Sequence, residues 1–306
     1  MSDERIALLL RSDGRMPVSR LADELGTTRT AVTARLAELR ASGRLQITAV
    51  VNPWVLGITA SAHVALRFDG SLRAGVAAIR AMGAVSLVSV VSGDADLVTE
   101  VRAPTAARLF AQLGDLRRIS GVREIETLNY VSVVKSPFTS PREPATAVRL
   151  DELDEHLLVV LQQDGRASFR SMADAVGVTE SVARHRIHRM ISDDVVRVTA
   201  VLRRSADSSG VAMGMGLNVD GDIDELTQML AAMARVDFVA VVTGRHDILL
   251  TLSGSSLQQL AVTADEVRAV AGVRRVRHWV HLEMFHEAYR PDGLVAGSPS
   301  IGAADS

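Results

Sequence analysis

The chain has 306 residues, which at about 100–200 residues per domain predicts two or more domains. Hydrophobic residues make up 47% and charged residues 23%, so the chain can bury real cores and is not intrinsically disordered. A net charge of −2 argues against a uniformly basic coat, and zero cysteines exclude disulfides, thiolate zinc sites, thiol nucleophiles and cysteine-held iron–sulfur clusters.

In chain order, Glu4 to Leu10 has helical apolar spacing at Ile6, Leu9 and Leu10. A loop with Gly14 and Pro17 leads to a short helix from Val18 to Leu25, a turn at Gly26-Thr27-Thr28, and a longer helix that Gly43 ends. Leu45 to Val51 is β-branched and strand-like. Three helices with a tight glycine turn between the second and third, then a strand pair, describe a winged helix-turn-helix. Further on, Ile58 to Phe68 reads as strand, Leu72 to Met82 as helix, Val85 to Val91 and Leu97 to Val101 as strands, Thr105 to Ile119 as helix and Val122 to Val134 as strand. That β-α-β-β-α-β order is ferredoxin-like, and its open sheet face calls for a partner sheet.

The pattern then repeats. Asp13-Gly14-Arg15 recurs as Asp164-Gly165-Arg166, an offset of 151 that also carries Thr48-Ala49-Val50 onto Thr199-Ala200-Val201, Gly93 onto Gly244 and Asp96 onto Asp247. The expected fold is α+β: winged helix-turn-helix heads at 1–51 and 150–202, βαββαβ domains at 58–135 and 210–290, a proline-rich linker at 136–149 and a disordered tail at 291–306. No run approaches the roughly 18 apolar residues of a membrane span, and the acidic opening Ser2-Asp3-Glu4 is unlike a signal peptide, so a cytoplasmic protein without membrane contact is expected.

A helix-turn-helix joined to a βαββαβ unit over about 150 residues, with the "DGR" after the first helix, Arg35, Leu36 and Leu39 ahead of Gly43, and the loops Ser92-Gly93-Asp94-Ala95-Asp96 and Thr243-Gly244-Arg245-His246-Asp247, resembles the Lrp/AsnC (feast/famine) regulators, twice over. The resemblance implies double-stranded DNA binding by the heads, sensing of a small effector, an amino acid, by the second domains, and a homo-oligomer in which each chain holds an internal pair of sensors. Two departures stand out. Asp194 occupies the place of Gly43, and His278 that of Thr127.

Helical geometry puts Val32, Leu36 and Leu39 inward on the first recognition helix and Ala183, Ile187 and Met190 inward on the second. Candidate DNA contacts are Thr28, Arg29, Thr30, Thr33 and Arg35 in the first head, and Thr179, Ser181, Arg184, His185, Arg186 and Arg189 in the second. The two threonines suit N-caps, Arg35 and Arg186 suit phosphates, and outward Ser181, His185 and Arg189 suit base edges. Equally, the arginines serve as plain solvated charges paired with Glu24, Glu38 or Asp174. Because the two outward faces differ, the heads are expected to read different half-sites.

Effector candidates are Gly93, Asp94 and Asp96 in the first loop and Gly244, Arg245, His246 and Asp247 in the second, where turn N–H groups would take a carboxylate and the aspartates an ammonium. The two sites would then prefer different ligands; the plain alternative is two hairpin turns. His278 and His281, three apart on a strand, face opposite ways and argue against a metal site. No cofactor and no catalytic set is expected, since no Ser-His-Asp spacing, GxxxxGK loop or HExxH stands in the sequence. The competing readings are a siroheme decarboxylase built from the same paired units and a nucleoid-organising protein with little sequence preference.

Overall fold

The computed structural model describes residues 2–83, 85–137, 150–202 and 210–287. The expected linker beyond residue 137 and the expected tail lie outside the described residues. The first head is α1 (Asp3–Ser12), α2 (Val18–Leu25), α3 (Arg29–Ala41) and β1 (Leu45–Val51). Its βαββαβ domain follows as β2 (Ala60–Phe68), α4 (Leu72–Arg80), β3 (Val85–Val91), β4 (Leu97–Ala103), α5 (Ala106–Arg118) and β5 (Val122–Lys135). The second head is α6 (Glu152–Gln163), α7 (Phe169–Val176), α8 (Glu180–Ser192) and β6 (Val196–Leu202). The second βαββαβ domain is β7 (Val211–Val219), α9 (Ile223–Ala232), β8 (Val236–Thr243), β9 (Ile248–Gly254), α10 (Leu257–Arg268) and β10 (Val273–Glu287). Both units therefore follow the order read from the periodicity.

Between the heads the structure adds what periodicity lacks. The strand pair expected inside each head forms between heads instead: β1 runs antiparallel to β6, with Thr48 opposite its own repeat equivalent Thr199. A pseudo-twofold axis passes through that pair. Thr48 Oγ1 donates to the Gln162 carbonyl (2.8 Å) and Thr199 Oγ1 to the Arg11 carbonyl (3.1 Å), so each strand satisfies the last turn of the other unit's first helix. One continuous apolar core, including Leu10, Leu39, Ile47, Leu161, Ile187 and Val198, runs through both heads.

The "DGR" motif is the fastener of this pair. Asp13 turns the loop by accepting from the Arg15 N–H (3.0 Å), and Arg15 then donates to the carbonyls of Gly165 (2.9 Å) and Ala167 (3.1 Å). Reciprocally, Arg166 donates to the carbonyls of Gly14 (2.9 Å) and Met16 (3.0 Å). A Cβ on Gly14 would stand 2.9 Å from Val198, which explains the glycine between the two polar residues.

The two βαββαβ domains close on each other into one eight-stranded antiparallel barrel, in the order β10-β3-β4-β2-β5-β8-β9-β7. The two seams, β3 with β10 and β5 with β8, join one copy to the other and leave no free sheet edge. Helices α4 and α5 cover one outer face around Leu66, Ile79 and Leu116, while α9 and α10 cover the other around Met215, Leu230 and Leu260. The barrel interior mixes a small apolar group, including Leu128 and Leu249, with polar side chains.

Asp194 adopts φ 60°, matching Gly43 at φ 68° in the first copy. Left-handed backbone costs a non-glycine residue about 1–2 kcal/mol, so Asp194→Gly is expected to stabilise the protein by roughly 1 kcal/mol in urea unfolding. An unchanged or lower midpoint would show that side-chain contacts of Asp194 outweigh the strain.

Candidate functional site

The recognition helices α3 and α8 expose one face each at the ends of the shared head pair. Thr28 and Thr179 are their N-caps, accepting from the backbone N–H of Ala31 (3.2 Å) and Val182 (3.4 Å). Val32, Leu36, Leu39, Ala183, Ile187 and Met190 are all buried, as the helical spacing predicts. Arg29, Thr30, Thr33, Ser181, Arg184 and His185 are exposed, although Thr33 donates back to the Arg29 carbonyl and Arg184 is paired with Glu180 at 2.5 Å.

Three of the candidate arginines behave otherwise. Arg35 grips Asp3 through two nitrogens (2.7 and 2.8 Å) and reaches Glu38 (2.6 Å), fastening α3 to the start of α1; Arg35 holds the Asp3 carboxyl below its usual range. Arg186 binds Asp151 and Asp154, and Arg189 binds Asp154 at 2.7 Å. Asp154 is fully buried and also closes the capping box of α6. Arg189 therefore does not point outward: the acidic first turn of α6, with its N-terminal dipole, draws the guanidinium back against the head. The partners are Asp3, Asp151 and Asp154, besides Glu38, rather than Glu24 or Asp174.

The two glycine-aspartate loops also depart from expectation. Asp96 accepts from the Phe68 N–H (2.8 Å) and Asp247 from the Val219 N–H (2.9 Å), so both carboxylates pin their loop to a neighbouring strand end instead of awaiting an ammonium. Gly93 (φ 111°) and Gly244 (φ 140°) allow each loop to fold against the last strand of the other unit, Gly93 on His278 and Trp279, Gly244 on Thr127 and Leu128. What remains, Asp94 from one loop and Arg245 and His246 from the other, lines a single cavity of about 350 Å³ on the pseudo-axis. The two loops thus build one shared pocket where two separate sites were expected.

Its charges are sorted by copy. Asp94 and Glu126 come from the first unit; their repeat equivalents, Arg245 and Arg277, come from the second. Arg245 contacts Glu126 at 2.5 Å and Asp94 at 3.4 Å, and Arg277 pairs with Asp94. Deeper in, Trp279 and His246 lie over Gly214 and Gly216, where an added Cβ would stand 2.1 Å and 2.3 Å from the two rings. Those glycines are two apart on β7 and share a face, so the rings sit side by side, roughly 7 Å apart along the strand. His63 meets the Trp279 ring at 5.4 Å between centroids.

Burial holds both histidines neutral. Desolvation lowers His63 to about 4 against some help from Glu100, and desolvation with nearby Arg245 and Arg277 lowers His246 to about 4. Since Arg245 Nε can only donate, His246 Nε2 is the acceptor (3.2 Å) and the proton of the neutral ring sits on Nδ1. That Nδ1–H and the Trp279 Nε1–H are buried without a partner. Glu126, Arg277, His63, Trp279, Gly214 and Gly216 were not among the sequence candidates. The signal available was the 151 offset itself, which sets Glu126 against Arg277 and Gly214 against His63.

The AsnC-type helix-turn-helix domain model matches residues 2–40 and 150–191. An uncharacterized HTH-type transcriptional regulator of Pyrococcus furiosus is 30% identical over 148 residues, 44% of this chain and 99% of its own length. A counterpart from Pyrococcus horikoshii is 33% identical over 116 residues, 37% of this chain and 73% of its own. The crystal structure of the siroheme decarboxylase NirDL with an iron-uroporphyrin III analogue covers 94% of both chains at TM-score 0.61 and 17% identity, a likeness of fold. The paired heads and βαββαβ domains define a duplicated helix-turn-helix regulator. The chain belongs to the Lrp/AsnC family of HTH-type transcriptional regulators, with the family's unit present twice.

Proposed function

We propose that this protein is a cytoplasmic, sequence-specific DNA-binding regulator whose affinity for its operator is set by an amino acid in the axial cavity, with chains associating further into homo-oligomers. The observation that carries the reading is the head pair: two exposed recognition helices belong to one shared core, so they meet DNA as a unit with fixed spacing. By residue count the first head, residues 1–50, has eight Arg against six Asp plus Glu, or +2, and the second, 151–201, has six against nine, or −3. Affinity must then come from placement of charge rather than its total.

The test is a gel shift of the full chain on the DNA upstream of its own gene, across a salt series, with and without a panel of amino acids. A tight specific complex, weakening linearly in log salt and responding to one amino acid, is expected. Turnover of siroheme without DNA affinity would replace this reading with the decarboxylase one, and a shallow preference over competitor DNA with the nucleoid one.

The exposed faces of α3 and α8 differ, so the operator is expected to be an imperfect palindrome. His185→Ala should cost about 1–3 kcal/mol on one half-site only. Arg189→Ala, which takes one of two guanidiniums from buried Asp154, should instead lower the melting temperature and weaken binding to both half-sites alike. Equal half-site losses for His185→Ala would sink the assignment of α8 to one half-site.

A further inference from the structure

We infer that Phe169 is a positioning residue: its ring seats the Arg184 guanidinium of α8 for one phosphate of the DNA backbone, and only the second head has such a seat. This rests on the DNA-binding reading above and adds the residue that makes a phosphate contact and the residue that prepares it.

The arginines of α8 divide by their partners. Arg186 and Arg189 are half-buried on the carboxylates of Asp151 and Asp154, while Arg184 is exposed. Its guanidinium lies over the Phe169 ring, 5.1 Å from the centroid, and His188, one turn further on, meets the same ring at 5.4 Å between centroids. Phe169 opens α7 and packs on the shared core of the heads, so the ring is itself held. Arg15 of the first head, tied to the carbonyls of Gly165 and Ala167, also lies over it at 4.9 Å.

Stacking fixes the plane of a guanidinium and leaves the N–H groups along its edge for a ligand, so a seated arginine gives up less freedom on binding than a fully solvated one. Its direction selects a phosphate over a base. In helix-turn-helix docking the helix before the recognition helix crosses the backbone, and Arg184 and His188 turn toward that helix, α7, through their contacts with Phe169. Glu180 also holds Arg184, at 2.5 Å, but the pair is exposed and contributes little, so it yields to a phosphate.

The first head has no counterpart. The repeat equivalents of Phe169, Arg184 and His188 are Val18, Thr33 and Ala37, and the Thr33 hydroxyl donates back to the Arg29 carbonyl. The seat therefore acts on one half-site alone.

Gel shifts of the full chain on the whole operator and on each isolated half-site, across a salt series, test this. Arg184→Ala should weaken one half-site about fivefold and make the log–log salt dependence shallower by about 0.9, the slope of one phosphate. Phe169→Leu keeps the apolar packing and removes the ring; it should weaken the same half-site about threefold with the salt slope unchanged, because the charge stays and the contact is still made. Phe169→Tyr should restore binding, and in an Arg184→Ala background Phe169→Leu should cost nothing further. Wild-type affinity in Phe169→Leu, a loss shared equally by both half-sites, or a loss that persists without Arg184 would overturn the inference while the DNA-binding reading survives. If the wild-type chain binds no DNA, that reading fails and the inference with it. Arg184→Lys, which keeps the charge but stacks poorly, should match Phe169→Leu on the same half-site and decides the matter should Phe169→Leu not fold.

Discussion

Arg166→Ala is expected to lower the unfolding free energy by about 3 kcal/mol and operator affinity by at least tenfold. Its guanidinium donates two hydrogen bonds across the head interface, to the carbonyls of Gly14 and Met16, and each charge-assisted bond is worth about 1.5–3 kcal/mol. Removal strands those carbonyls at the point where the two heads interlock. Arg15→Ala should act alike through Gly165 and Ala167, and the double variant should be less than additive because both serve one joint. Arg166→Lys should recover only part: both bonds leave one terminal nitrogen, Nη1, which an ammonium could replace in kind, but the lysine stem is shorter and does not carry it as far. Urea unfolding followed by tryptophan fluorescence, beside gel shifts on whole and half operators, reads both effects. The expected signature is loss on the whole operator with little on a half-site, since the variant loosens spacing and leaves each reading face intact. Stability within about 0.5 kcal/mol of wild type would show the interlock to be incidental.

Acid should weaken the protein well above the carboxylate range. His63 and His246 titrate near 4 when folded and near 6.5 when unfolded, so between those values the unfolded chain binds more protons and stability falls as pH falls. The contribution is fully present above about pH 6.5, and lowering pH from 7 to 5 should cost about 2 kcal/mol per histidine. Glu126 works the other way, because burial raises its carboxyl and lets the folded state hold a proton more readily. Denaturant midpoints measured from pH 7 to pH 5 should therefore drop steeply, and His63→Asn should remove close to half of that slope. A slope identical in the variant would mean His63 is accessible and charged in the fold.

Much of this architecture was legible in order and period. The buried stripes of α3 and α8, the βαββαβ sequence of elements and the 151-residue repeat are local or one-dimensional signals, and the structure follows them. Side-chain direction was less so. Arg189 sits where helical geometry alone points outward, but a helix wheel holds no information about Asp154, which lies 35 residues away. The same holds for Asp96 and Asp247, which the Gly-to-Asp spacing casts as ligand carboxylates and which strand-end N–H groups claim instead.

The opening composition already excluded cysteine chemistry, and the repeat established that the chain carries two heads and two βαββαβ domains. By itself, then, the sequence determined the number, order and kind of its parts, because those follow from apolar periodicity and turn chemistry along the chain. Tertiary structure decided how the copies face each other: wings paired between heads, sheets closed into a barrel, and two loops converging on one axial pocket. The physical reason is that each of these is a contact between the two copies, far apart along the chain, and a repeat looks the same whether its copies stand alone or embrace. Only their embrace turns Asp94 and Arg245, read singly as two unlike loops, into the two sides of one site.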